Sequence, residues 1–419
     1  MGENAFCKKH TDARLKSDSS QKKVLTAQSY HKYLYFCGIN IKTLIMKKIF
    51  YSLAAVVVLA SCARESEVVL LPAADFETVV VGKDVSLYTL KGGDLTMQVT
   101  NFGARVVTLW TPDKNGAYED IVLGYNNIDT YLNNPGERFL GAVVGPYANR
   151  IAKGTYTIGE DVYNFPLNNN GNTLHGGEKG LDMVVWDVTA QTDSSLVLEY
   201  LHKDGQEGMP GNLKIVMTYA LTSDNEFRVD YLAETDKATH VNISHHSFFN
   251  LKGEGNGTIL DNVLYINASR TTPVDSLLIP TGEIADVTGT PFDFRTPKTI
   301  GQDVNADNVQ ISYGPGYDHN WVLDRKSCCG LELAASVWEP ASGRFMEVLT
   351  DQPALQFYSG NFFDGSTNGK YGRTLRYRES LALETQLFPD TPNHDNFPST
   401  LLNPGEKYEH ACVYRFSVK

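Results

Sequence analysis

The sequence predicts an all-β protein built as an antiparallel β-sandwich or a pair of packed sheets. Apolar and polar residues alternate in residues 213–221 and 227–231, with the period of two that is typical of half-buried strands. Segments rich in Gly, Asn and Pro separate such short runs and suit the turns between strands. No long stretch of the sequence shows the helical period of 3.6 residues. Many strands without helices between them favour packed antiparallel sheets.

The clearest pair of strands lies in the middle of the chain. Apolar residues occupy alternate positions from Leu213 to Leu221, and again at Phe227, Val229 and Tyr231. The intervening Ser223-Asp224-Asn225 favours a tight turn, so the two runs predict a β-hairpin. Further strands are predicted at Leu95–Thr100, Leu196–Leu201, Met346–Thr350 and Ala411–Val418.

The charge is distributed unevenly along the 419 residues. Residues 1–61 contain ten Lys or Arg and three Asp or Glu, which leaves 27 basic and 46 acidic residues in the rest, a net charge of −19. Such an acidic protein repels phosphate backbones, which argues against a nucleic-acid partner. A neutral polyol remains compatible, because it is bound by hydrogen bonds rather than attracted by charge.

A signal-like segment begins at Met46. Lys47 and Lys48 precede an apolar run, Ile49–Leu59, that is too short to span a bilayer as a helix. The run ends in Leu59-Ala60-Ser61-Cys62, which resembles the lipobox of bacterial lipoproteins, where the cysteine carries the lipid. A buried apolar helix with a chance cysteine is the alternative.

From the signal-like segment we predict a division of the chain into four parts and a location for the protein. Residues 1–45 would be a non-native extension or follow a wrongly assigned start, 46–61 a lipoprotein signal peptide, 62–75 a tether and 76–419 one β domain. The protein would be exported and held by Cys62 on the outer membrane, facing the periplasm or the cell surface.

Five polar clusters interrupt the alternating pattern, and they are far apart in sequence. Small residues and turns in these clusters would let a ligand approach the backbone, and their side chains are donors and acceptors suited to hydroxyl groups. The clusters are Gly141–Ile151, Asn168–Gly177, Asn242–Leu251, Gly316–Trp321 and Leu383–Asp390.

In this order, the clusters resemble those of the galactose mutarotase (aldose 1-epimerase) family, from about Phe76 to the end of the chain. The resemblance implies a large twisted β-supersandwich with an open sugar cleft. By position it makes Glu384 the catalytic base, His246 the catalytic acid and His175 a second catalytic histidine. The matching sugar-binding positions are Asn149, Arg150, His175, Phe248, Asp318 and Gln356.

This chain departs from the family pattern at two positions. Pro146 stands where many members have Arg, and Phe248 where many have Tyr. The second change removes a hydroxyl that could contact the sugar, so it bears on which sugar is preferred. Neither change removes the implied acid or base.

The implied reaction explains these residue types. To change anomer, an aldose loses a proton from its C1 hydroxyl and gains one on its ring oxygen, so that the ring opens and can close on the other face. A carboxylate such as Glu384 can accept the first proton, and a histidine such as His246 can donate the second. No electrons are transferred, so no cofactor is expected. We expect a small free aldose as the partner and a monomeric protein.

Alternative interpretations remain for the same residues. A non-catalytic sugar-binding lipoprotein would need neither Glu384 nor His246, and a glycoside hydrolase could use Asp318 and Glu384 as its two carboxylates. A phosphosugar epimerase would need more basic residues than Arg150.

A metal site is a further alternative. His175, His246, Asp318 and Glu384 are of residue types that bind metals, but no spacing among them indicates a metal site, and we expect none. His245 and His246 adjoin on a strand, so only one of them can face a cleft.

Replacement of Cys62 by Ser tests the predicted lipid anchor. Several acyl chains, at ~0.8 kcal/mol for each buried CH₂, should hold the native protein on membranes through high-salt washes that remove electrostatically bound proteins. The C62S protein should be as active as the native protein and appear in the soluble fraction. Membrane-bound C62S, or native protein in the cytosol with residues 1–61 attached, would refute export as a lipoprotein.

Overall fold

Antiparallel strands form most of the regular structure in the computed structural model, which describes residues 67–133, 136–327 and 329–419. These residues belong to a compact unit that spans Glu65–Lys419. The predicted extension, the predicted signal peptide and Cys62 lie outside the described residues, as does the first part of the predicted tether.

The strands are short and numerous. In the first part of the chain they are β1 Thr78–Val80, β2 Lys83–Val85, β3 Leu87–Gly92, β4 Leu95–Thr100, β5 Arg105–Pro112, β6 Tyr118–Asp120, β7 Ala142–Val144, β8 Arg150–Ile151, β9 Thr155–Ile158, β10 Asp161–Asn164, β11 Thr173–Leu174, β12 Asp187–Gln191, β13 Ser195–His202, β14 Leu213–Leu221 and β15 Glu226–Thr235. They continue with β16 Thr239–His240, β17 Ser244–His246, β18 Val263–Ile266, β19 Arg270–Thr272, β20 Ala285–Asp286, β21 Lys298–Thr299, β22 Asp318–Val322, β23 Glu332–Trp338, β24 Arg344–Thr350, β25 Ala354–Tyr358, β26 Ala382–Gln386, β27 Leu401–Leu402 and β28 Tyr408–Val418.

The largest sheet has nine strands in the order β12-β13-β14-β15-β28-β24-β23-β18-β21. The predicted hairpin is confirmed within it, since β14 pairs with β15 from Leu213↔Thr235 to Leu221↔Phe227. Asn225 in the turn has a φ of 59°, a conformation that Asn adopts more readily than most residues. Alternate side chains of β14 are buried, beginning with Leu213, as the sequence period predicts.

Two smaller sheets complete the sandwich, one of four strands (β3-β4-β5-β6) and one of five (β20-β19-β22-β25-β26). The largest apolar cluster among the described residues takes side chains from all three sheets, among them Met97, Ile215 and Phe357. Burial of this apolar surface is the dominant favourable term in folding. The predicted all-β sandwich is therefore confirmed.

Small ladders and short helices connect the sheets. The two-stranded ladders are β1-β2, β8-β11, β9-β10, β7-β17 and β16-β27. The α-helices among the described residues are α1, Ile128–Asn133, and α2, Val309–Tyr313, whose first turn is capped by the side chain of Asn308. No helix in the described part of the chain is long and apolar enough to cross a membrane.

A buried ion cluster joins the end of β6 to two connecting segments. Lys370 Nζ lies 2.6 Å from Glu254 Oε2 and 3.2 Å from Asp120 Oδ2, and the three side chains are at most 1 % exposed. Lys370 Nζ also donates to the carbonyl of Val122 at 2.7 Å. Burial raises the pKa of Glu254 to about 7, against the attraction of Lys370. Removing the cation would leave two buried carboxyl groups without their partner.

We expect K370M to lower the free energy of unfolding by about 3–5 kcal/mol, because breaking a buried ion cluster leaves uncompensated charge. Urea unfolding followed by circular dichroism measures this value. K179M, at an exposed lysine, is the matched control and should change stability by less than about 0.5 kcal/mol. Equal unfolding midpoints for K370M and the native protein would show that the cluster contributes nothing to stability.

Candidate active site

An open cleft lies between one edge of the five-stranded sheet and the ladders β7-β17 and β8-β11. Its empty volume is about 630 Å³, including solvent at its mouth. Its walls combine charged, amide and aromatic side chains with one leucine. The lining residues are Glu137, Phe139, Asn149, Arg150, Asn169, Leu174, His175, His246, Phe248, Asp318, Tyr358, Phe362 and Glu384.

Glu384 and His246 face each other in the buried part of the cleft. Glu384 Oε1 lies 3.4 Å from His246 Nε2, and the two side chains are 2 % and 7 % exposed. The other carboxyl oxygen of Glu384, Oε2, and Nδ1 of His246 have no hydrogen-bond partner among the described residues. Buried polar atoms without partners are costly, so a ligand with hydroxyl groups would gain by pairing with them.

The register of the five-stranded sheet brings sugar-binding candidates beside Glu384. Gln356 of β25 is directly opposite Glu384 of β26, and its Nε2 donates to Asp318 Oδ1 at 2.8 Å. Asp318 Oδ2 lies 3.6 Å from a terminal guanidinium nitrogen of Arg150. Side chains alternate along a strand, so Leu383 packs in the apolar core while Glu384 lines the cleft.

His175 is held by reciprocal bonds to Asn149. His175 N donates to the Asn149 carbonyl, and Asn149 N donates to His175 Nδ1, both at 3.0 Å. Because Nδ1 is an acceptor, the ring proton of the neutral histidine is on Nε2, which can donate to a ligand. The next residue, Gly176, has a φ of 88°, and a Cβ there would collide with the carbonyl of Gly145.

Aromatic rings surround the two cleft histidines. The Phe139 ring centroid lies 4.6 Å from that of His175 and 6.0 Å from that of His246. Phe248, which has a 1 % exposed side chain, lies 4.7 Å from His246. Phe248 therefore lines the cleft mainly as a support for His246. The two histidine rings are 5.3 Å apart and nearly perpendicular.

His245 occupies the opposite face of β17. Its Nδ1 is 3.1 Å from the Tyr219 hydroxyl and its Nε2 is 2.6 Å from Ser247 Oγ. Both ring nitrogens are paired inside the protein, and burial lowers the pKa of His245 to about 3. Of the two adjacent histidines, only His246 is among the residues that line the cleft.

Burial shifts the proton affinities of the facing pair. It raises the pKa of Glu384 well above the usual carboxyl range; the like charges of Asp318 and Glu137 act in the same direction and Arg150 opposes them. Burial lowers the pKa of His246 to about 4 and that of His175 well below the usual histidine range. A carboxylate more basic than usual is suited to accept a proton near neutral pH.

The side chains of His175, His246 and Glu384 form a cluster that could hold a metal ion. Ligand atoms of His175, His246 and Glu384 lie within 4.8 Å of one another, and two histidines with one carboxylate are a set that zinc accepts. Nδ1 of His175 already accepts a backbone N–H, so only its Nε2 could be a ligand. Asp318, the fourth ligand type noted in the sequence, is not part of this cluster.

Several cleft residues were missed in the sequence. Tyr358 lies two residues after Gln356 on β25, so the strand period could have placed both on one face. Glu137 and Phe139 directly precede the first polar cluster, and only their proximity to it could have drawn attention to them. Asn169 and Leu174 lie within the predicted cluster Asn168–Gly177 but were not singled out, and Phe362 was missed.

Comparison with known proteins identifies the family. The sequence profile described as aldose 1-epimerase matches residues 86–415. The chain belongs to the aldose 1-epimerase family. It is 41 % identical to mouse galactose mutarotase over 337 residues, which cover 80 % of this chain and 95 % of the mouse protein. It is 36 % identical to aldose 1-epimerase of Escherichia coli K12 over 338 residues, which cover 80 % of this chain and 96 % of that enzyme.

Solved structures of aldose 1-epimerase relatives have the same fold. A GalM/aldose epimerase homologue from C. elegans has a TM-score of 0.73 and 30 % identity, and the match covers 80 % of this chain and 99 % of that one. Galactose 1-epimerase from Lactobacillus acidophilus has a TM-score of 0.71 and 30 % identity, with 81 % and 97 % covered. The family predicted from the five polar clusters is thus confirmed, and with it the enzyme class, an isomerase that acts on carbohydrates.

The two adjacent histidines provide a test of the site. H246A should lower kcat by about 10²–10⁴, the usual contribution of a proton-transfer group. H245A, which removes a core side chain, should lower thermal stability and reduce kcat far less. Polarimetric kinetics and thermal unfolding of both variants measure the two effects. Equal losses of kcat, or the reverse order, would assign the acid to His245.

Proposed function

We propose that this aldose 1-epimerase interconverts the α and β anomers of free aldohexoses such as galactose and glucose, with Glu384 as base and His246 as acid. The observation that carries this assignment is the 3.4 Å contact between the two side chains inside a polar cleft. The relatives named galactose mutarotase and aldose 1-epimerase support the substrate class.

The reaction consists of two coupled proton transfers. Glu384 takes the proton of the C1 hydroxyl, the C1 oxygen forms a carbonyl, the bond from C1 to the ring oxygen breaks, and His246 protonates that oxygen. Rotation about the C1–C2 bond presents the other face of the aldehyde. Ring closure reverses both transfers, so Glu384 and His246 regain their starting protonation and no cofactor is consumed.

The facing pair carries the single proton that this cycle needs. In the reactive form Glu384 is ionised and His246 is protonated, and the unpaired Glu384 Oε2 and His246 Nδ1 can be satisfied by sugar hydroxyls or water. Burial disfavours both charges, and their proximity compensates for part of that cost. In this protonation state Glu384 is a stronger base, and His246 a stronger acid, than either group would be in water.

The remaining polar groups hold the sugar. Arg150 and the Nε2–H of His175 are donors, while Asp318 and Gln356 are joined by a 2.8 Å hydrogen bond and act as one unit. Asp318 also lies 3.6 Å from a terminal guanidinium nitrogen of Arg150. A glycoside hydrolase would need Asp318 free to act on a bond between two sugars, so these contacts favour a binding role for Asp318.

A non-catalytic sugar-binding protein is the second candidate. It would require donors and aromatic rings in the cleft but no facing acid and base. The Glu384–His246 contact favours the enzyme, because a buried pair of ionisable groups costs stability that simple binding would not require.

We further propose that the protein is an exported lipoprotein, anchored through Cys62 and monomeric. The order Lys47-Lys48, apolar run and Leu-Ala-Ser-Cys supports the anchor. An epimerase at that location could act on sugars released by glycosidases as single anomers before a transporter binds them.

We expect E384Q to lose at least about 10²-fold in kcat while it keeps its thermal stability, because the amide has the shape of the carboxylate but cannot accept the proton. The assay follows the optical rotation of freshly dissolved α-galactose and α-glucose. E178Q, at an exposed glutamate, is the matched control and should keep full activity. Mutarotation by E384Q at the native rate would refute the assignment of the base.

The same assay separates the proposed chemistry from a metal mechanism. EDTA should leave the native rate unchanged. Inhibition by EDTA that a divalent ion restores would show that His175, His246 and Glu384 bind a metal.

A further inference from the structure

We propose that Glu137 is a further active-site residue, which accepts a hydrogen bond from a hydroxyl of the bound sugar. The inference rests on the proposed function and deepens it. Glu137 lines the same cleft as Glu384 and Asp318, so it is a third carboxyl group at the site. It belongs to none of the five polar clusters seen in the sequence.

The carboxyl group of Glu137 is held in place by its own turn. Its Oε1 accepts a hydrogen bond from Phe139 N at 3.0 Å, and its backbone carbonyl accepts one from the Tyr125 hydroxyl at 3.2 Å. The Phe139 ring contacts both cleft histidines. The segment that carries Glu137 is therefore one wall of the site.

Buried charged side chains hold the segment that carries Glu137 against the rest of the domain. The Arg105 guanidinium donates to the carbonyls of Arg138 and Leu140 at 2.8 and 3.0 Å. Arg138 forms a bidentate ion pair with Asp182 at 2.6 and 2.9 Å. The side chains of Arg105 and Asp182 are fully buried. Such rigid support is what a ligand-contacting group requires, and one oxygen of Glu137, Oε2, is not used by the turn.

The charge of Glu137 also acts on the base. Burial is the main cause of the raised pKa of Glu384, and Glu137 and Asp318 add to it through like-charge repulsion while Arg150 opposes them. His246, His175 and Tyr358 complete the ionisable groups that share the cleft with Glu384. Burial raises the pKa of Glu137 itself and Asp182 adds to this, while the bond from Phe139 N and the charges of Arg105 and Arg138 oppose it. If Glu137 loses its charge, the pKa of Glu384 must fall, and the base stays ionised to lower pH.

The variant E137Q tests both consequences, because its amide oxygen can still accept from Phe139 N. Its kcat/KM for galactose should fall about 10- to 100-fold, the effect of losing a hydrogen bond to a charged group, with most of the change in KM. The acid limb of its kcat profile should move to lower pH. E137D, which keeps the charge, should keep the acid limb near the native pH. E160Q, at an exposed glutamate, is the matched control.

The outcomes discriminate between the possible roles. Native kcat/KM and a native pH profile in E137Q would overturn the inference, as would a lower thermal stability with unchanged KM and acid limb, which is the result of a purely structural role. If the native protein does not mutarotate galactose or glucose, the proposed function fails. Calorimetric titration with galactose then tests Glu137 separately: weaker binding to E137Q than to the native protein supports the inference, and equal binding refutes it.

Discussion

The contact between Glu384 and His246 places two ionisable groups against each other in the buried part of the cleft. Burial of either group alone would cost several kcal/mol, so the surrounding structure has to compensate for it. For an ionised Glu384 the positive charge of Arg150 offsets part of this cost, whereas the like charge of Asp318 adds to it. The architecture of the cleft follows from this requirement.

The two histidines of the cleft are held in different ways. His175 lies in a turn of positive-φ residues and has its ring tautomer set by a backbone N–H from Asn149. His246 is on β17, with its ring between those of Phe139 and Phe248. A ring fixed by a hydrogen bond is a defined donor, whereas a ring that packs against aromatic side chains and faces a carboxylate can exchange a proton without losing its position. This difference agrees with a binding role for His175 and an acid role for His246.

Each of the three carboxyl groups in the cleft has a different environment. Glu384 has an unpaired oxygen and a raised pKa, Asp318 is paired with Arg150 and Gln356, and Glu137 is fixed by the turn that follows it. Groups of one chemical type acquire separate functions when burial and neighbours move their proton affinities apart. The base is thus selected by its surroundings and not by its residue type.

The sequence by itself determined the all-β class, the hairpin of β14 and β15 and the family, because strand periodicity and the five polar clusters are local patterns. It also placed Glu384, His246, His175, Arg150 and Asp318 among the candidates. Only the tertiary structure decided which polar atoms meet, because the clusters are separated by tens of residues and strand pairing sets their distances. It also brought Glu137 into the cleft, through hydrogen bonds from Arg105 and Tyr125 that no local pattern reveals. Proton affinity likewise depends on burial by distant strands, so the basicity of Glu384 is a property of the folded molecule alone.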